Sequence, residues 1–167
     1  SGAGNIGIGY GALLEHTTGS NNIAIGFEAM NDTGANDCPT STNNIFIGTD
    51  AGGGTWDTND SNFNIGIGTY ALDANMNGAL GNIAIGYEAG SAITTGSYNT
   101  FLGAYAGNVD QGGAENVCIG YNTDIEDDSA TNQIVIGNNF SGVADNAVHI
   151  GNDTRHIRCD FGTDETW

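Results

Sequence analysis

The chain has 167 residues, the size of one domain, and a formal net charge of -18 with two basic side chains, Arg155 and Arg158. That balance argues against nucleic acid and against anionic membrane surfaces as partners, since both demand a basic face. No apolar run approaches the roughly 18 residues that span a bilayer. The three cysteines (Cys38, Cys118, Cys159) show no Cys-x-x-Cys spacing, which argues against a zinc site or a disulfide framework.

The first element in the chain is Asn5-Ile6-Gly7-Ile8-Gly9, and it returns throughout the sequence. Later copies are Asn22 to Gly26, Asn44 to Gly48, Asn64 to Gly68, Asn82 to Gly86, Asn99 to Gly103, Asn116 to Gly120, Gln133 to Gly137 and Ala147 to Gly151. The closing glycines are 17, 22, 20, 18, 17, 17, 17 and 14 residues apart. A period near 17 with one short apolar unit per repeat marks stacked repeats, because no single copy can bury its own apolar surface.

Alternation along Ile-x-Ile puts both Ile on one face and x on the other. The x series is Gly7, Ala24, Phe46, Gly66, Ala84, Phe101, Cys118, Val135 and His149, and it is almost wholly apolar. Both faces therefore need cover. One can fill the inside of a coil. No helical pattern exists to cover the other, so a second copy of the chain is expected there, giving an obligate oligomer. Ile85 is read as lying within the coil, with Ala24, Phe46, Phe101 and Val135 towards a sister chain. Cys118, in an x slot, reads as a small buried hydrophobe.

Each closing glycine leads into Gly-x-x-Ala, with Ala12, Ala29, Ala51, Ala71, Ala89 and Ala106 in the last place. The residue after the glycine is often aromatic: Tyr10, Phe27, Tyr87, Tyr121. Stacking would align these rings into a ladder at a step of about 4.8 Å, either structural or a sugar-stacking strip. A polar run such as Thr94-Thr95-Gly96-Ser97 follows, with the composition of a turn or short outer strand. Each unit then holds two short strands and two turns. The expected fold is all-β: a parallel β-solenoid of about nine rungs over 1–151, roughly 40 Å long, with 152–167 as a terminal cap. The recurrent Asn is expected to bond backbone at a corner, as stacked Asn ladders do.

Two rungs are longer. One insertion runs from Asn31 to Asn43 with Asp32, Asp37, Cys38 and Pro39; the next runs from Gly52 to Phe63 with Trp56, Asp57, Asn59 and Asp60. Insertions in a solenoid become loops on one side, so these two should project together. Asp32, Asp37, Trp56, Asp57, Asn59 and Asp60 are the candidate ligand-binding residues. Trp56 is either a ligand contact or a loop anchor. The acidic loops are also candidate Ca2+ holders, although Asp57-Thr58-Asn59-Asp60 lacks the glycine and distal Glu of a calcium loop. The histidines (His16, His149, His156) fall on different rungs, and no nucleophile elbow, phosphate-binding loop or zinc-protease motif occurs. A non-enzymatic role is expected.

Asn82-Ile83-Ala84-Ile85-Gly86-Tyr87-Glu88-Ala89-Gly90 resembles the head repeat of trimeric autotransporter adhesins. That resemblance implies a left-handed parallel β-roll, three chains around one axis, and a place on a bacterial surface. Thr95 to Gly107 is similar to units of phage tail fibres, and Val148 to Trp167 to the stretch before an endosialidase-type intramolecular chaperone. This second resemblance implies a virion surface protein, with Trp167 the C-terminus left by self-cleavage. Both imply a homotrimer that attaches to a host glycan or surface protein. The alternatives are a purely structural spacer, a glycan-depolymerising tailspike, or a hexapeptide-repeat acyltransferase, which Ile85 to Gly90 fits for one unit. No signal peptide is present, and the chain opens inside its own repeat, which reads as a fragment or processed piece.

Overall fold

The structure is a computed structural model, and it describes residues 2–16, 18–32, 40–109 and 111–160. Each Ile-x-Ile copy forms one three- or four-residue strand, and the last copy a six-residue one: β1 (Ile6–Ile8), β2 (Ile23–Ile25), β3 (Ile45–Ile47), β4 (Ile65–Ile67), β5 (Ile83–Ile85), β6 (Thr100–Leu102), β7 (Val117–Ile119), β9 (Ile134–Gly137) and β11 (Ala147–Asn152). Two short strands, β8 (Thr123–Asp124) and β10 (Phe140–Ser141), and a final strand, β12 (Arg155–Asp160), complete the set. The main sheet has ten strands in the order β1-β2-β3-β4-β5-β6-β7-β9-β11-β12. All its pairings are parallel except the last. The described chain is thus a parallel β-solenoid of about eight turns, without a helix.

Register is strict. Ile23, Ile45, Ile65 and Ile83 lie in one column, and Ala24, Phe46, Gly66 and Ala84 in the next. The x column faces inwards: Ala24, Phe46, Ala84, Phe101, Cys118, Val135 and His149 are fully buried. The Ile columns face outwards, with Ile83 and Ile85 38% and 37% exposed. This reverses the assignment expected from sequence. The physical reason is space. A coil with three-residue strands is thin, and it admits small side chains readily but large ones only opposite gaps. Phe46 lies against Gly52 and Gly66, where an added Cβ would come within 2.7 Å of its ring, and Phe101 lies against Gly90 and Gly107 in the same way. Each Phe of the x column is thereby matched to missing side chains, which is how close packing is reached there in a narrow interior.

The expected Asn ladder is present and buried. Asn82 N–H donates to Asn64 Oδ1 at 3.0 Å, and its Nδ2 donates to the Gly96 carbonyl at 2.8 Å. Asn82 Oδ1 in turn accepts from Asn99 N–H at 3.0 Å. The same chain of bonds runs from Asn5 to Gln133. Each amide satisfies backbone groups that the tight corner would otherwise leave buried and unpaired.

Among the described residues the second strand of each rung is largely absent. Its place is taken by single parallel bridges, such as Ser97 to Ala114 and Ala114 to Thr131, and by the β8–β10 pair. The Gly-x-x-Ala stretch ahead of it is a run of turns with left-handed residues two and four places after the corner glycine, for example Glu88 (φ +51°) and Gly90 (φ +61°).

At the C-terminal end β12 folds back antiparallel on β11, with Ile150 opposite Ile157 and Val148 opposite Cys159. Residues 161–167 of the expected cap, Trp167 among them, lie outside the described residues.

Asp124, on β8, is buried. Its carboxylate accepts from Ile125 N–H at 2.9 Å and Val109 N–H at 3.2 Å. Burial nevertheless pushes its pKa up to about 6, and those two backbone bonds only partly oppose the shift. Between about pH 4 and 6 the folded chain therefore holds a proton that the unfolded chain has released, so this group's contribution to stability falls as pH rises through that window. Asp124→Asn should make the pH dependence of urea unfolding between about pH 4.5 and 7.5 less steep, while giving up one of the two backbone hydrogen bonds, because an amide has a single acceptor oxygen. An unchanged pH profile in that variant would show that Asp124 does not titrate in this range.

Candidate functional site

The described ends of the first insertion meet the second, as their adjacent rungs predict. The Asp32 carboxylate accepts the Thr55 hydroxyl, and the Asp32 carbonyl accepts Trp56 N–H at 3.3 Å. Thr40 donates its hydroxyl to the Asp60 carboxylate, and Thr42 N–H donates to Asn62 Oδ1 at 2.6 Å. The ridge continues onto the following rung. Asp57 N–H donates to the Met76 carbonyl at 2.9 Å, and Asn59 Nδ2 donates to Asn77 Oδ1 at 2.7 Å. Asp32, Asp57, Asn59 and Asp60 therefore belong to one polar ridge laced together by inter-rung hydrogen bonds. Asp37 lies outside the described residues.

Trp56 is not on that ridge's surface. It is fully buried, and its ring meets Phe46 edge-on at 5.8 Å. Of the two roles open to it from sequence, the structure shows the anchor: the indole holds the insertion down on the Phe46 rung. Among the described residues its Nε1 has no hydrogen-bond partner. Such a group costs free energy, which the large apolar area of the ring has to offset. Among the described residues no three His, Cys, Asp or Glu side chains converge on a point that could hold a metal ion. The acidic side chains of the ridge are instead directed at neighbouring hydroxyls and amides.

A second exposed feature lies just past the glycine corners. Tyr70, Tyr87, Tyr105 and Tyr121 form one strip of rings with centroid separations of 6.2, 5.3 and 5.9 Å, each pair edge to face. Tyr10 and Phe27 stack at 5.4 Å on the first two rungs. Sequence reasoning found Tyr87 and Tyr121, one place after their glycines, but missed Tyr70 and Tyr105, which stand two places after theirs. The missed signal is the backbone: Tyr70 and Tyr105 have φ of +58° and +60°, and that left-handed turn brings their side chains alongside the neighbouring column.

Carboxylates flank the strip. Tyr70, Asp73, Glu88 and Ser91 line a shallow open cleft. The Tyr87 hydroxyl donates to Glu88, and chiefly for that reason its pKa is pushed up to about 12. Partial burial raises the Asp73 pKa to about 6, and the charges of Glu88 and Asp50 push the same way. The chain's two cationic side chains, Arg155 and Arg158, are both on β12, many rungs away.

Compared with protein-family models, with curated proteins and with solved structures, the chain matches none of them.

Proposed function

We propose that the chain is a rod segment of a non-enzymatic homotrimeric fibre or adhesin, a left-handed β-roll whose three copies pack side by side and carry an attachment surface. The observation that carries this reading is the outward sheet face. From Ile6 to Ile150 its two columns hold Ile, Val and Leu with a single Thr and no charge, on a chain of net charge -18. A continuous exposed apolar face of this kind marks an association surface. A second copy of the same register offers a matching surface, and cyclic symmetry closes such a contact without open-ended growth. The polar ridge of Asp32, Asp57, Asn59 and Asp60 is then the place for a surface glycan or protein.

A spacer without its own ligand is the second reading. It is favoured by the burial of Trp56, which takes the insertion's one indole off the surface. Static light scattering on the purified chain tests the assembly. A mass three times the 17.1 kDa of one copy is expected. A folded monomer at micromolar concentration would overturn it.

A further inference from the structure

We propose that the tyrosine strip Tyr70-Tyr87-Tyr105-Tyr121 is a docking site for an extended, arginine-bearing segment of another polypeptide. The rings run along four consecutive rungs, with Tyr70, Tyr87 and Tyr121 exposed and Tyr105 half-buried between them; that is about 14 Å at the usual step between strands, which matches four to five residues of extended chain. Guanidinium groups stack on aromatic faces and pair with carboxylates. Here both components are interleaved, since Glu88 is held by the Tyr87 hydroxyl and Asp73 lies in the cleft that Tyr70 borders.

Charge selects the occupant. The charges of Asp50 and Glu88 both repel that of Asp73. The chain's own arginines are on the terminal strand β12 and do not neutralise them. A cation from outside would relieve that repulsion. Because no three acidic side chains meet at a point among the described residues, a string of organic cations fits the strip better than a single metal ion does. This site lies just beyond the glycine corners.

The test is fluorescence anisotropy of a labelled octa-arginine peptide titrated with the assembled full chain at 150 mM salt. Tyr87→Ala and Tyr105→Ala should each weaken binding about fivefold, the scale of one exposed cation–π contact. Glu88→Gln should weaken it similarly. Tyr87→Phe should retain most of the affinity, because the ring face remains. Neutralising the exposed pair Asp127 and Asp128 elsewhere on the chain should change it less than twofold. Equal weakening by every acidic variant, with the tyrosine variants unchanged, would reduce the effect to net charge and overturn the proposal. Displacement of the peptide by a neutral oligosaccharide at the same residues, or by calcium alone at millimolar concentration, would also overturn it.

Discussion

Gly86→Ala is expected to destabilise the chain by about 3 kcal/mol or more, enough to remove most of the margin of a small domain. Two causes act together. Gly86 has φ +141°, a conformation that side-chain-bearing residues rarely adopt, and a Cβ built there would come within 2.4 Å of the Gly103 carbonyl oxygen. That atom is backbone in the next rung, so it cannot swing aside as a side chain would. Gly26 against Gly48 and Gly103 against Gly120 repeat the geometry at 2.2 Å. The glycine column is what lets consecutive corners approach to hydrogen-bonding distance. Gly78 is the internal control. It too has a positive φ, but its Cβ would meet only the Asn59 side chain at 3.4 Å, so Gly78→Ala should cost only about 1–2 kcal/mol. Urea unfolding of both variants checks the comparison. Equal stabilities would mean that the stacked corners do not limit the rung spacing.

The second large effect separates the inside of the strand from its outside. Ala84→Asp should prevent folding, because it places an unpaired carboxylate in a fully buried position with no cation in reach, at a cost of about 4 kcal/mol or more. Ile85→Asp, one residue later, falls on the outward face. It should spare the coil's interior and act on association instead, lowering the mass seen by light scattering while circular dichroism still reports strand. The sequence reading placed that charge inside the coil and expected loss of folding; the observed exposure of Ile85 moves the effect to the outward face, where association is proposed. A normally folded Ala84→Asp variant would refute the inward assignment of the x column.

Much of the architecture was legible because it is periodic. The Asn-Ile-x-Ile-Gly unit recurs with its own strand, corner and capping amide, and Asn82 behaves as its spacing implied. The meeting of the two insertions follows from their lying on adjacent rungs. Where the expectations failed, periodicity was neutral. Ile-x-Ile alternates equally well with either face inwards, and the deciding clue was size. The small x residues, and the glycines placed wherever x is Phe, betray a thin interior. Trp56 stands in a polar stretch with nothing in its local pattern to say which way the ring turns.

Residue order is enough to specify the repeat, the strand in each rung, the amide column and the glycine corner, since each depends only on local residue types returning at one interval. Which side of the strand is core, where Trp56 goes, and that Tyr70 and Tyr105 join Tyr87 and Tyr121 are settled in the folded coil. Those outcomes depend on the width of the closed coil and on left-handed backbone turns between rungs, neither of which exists until the rungs are stacked.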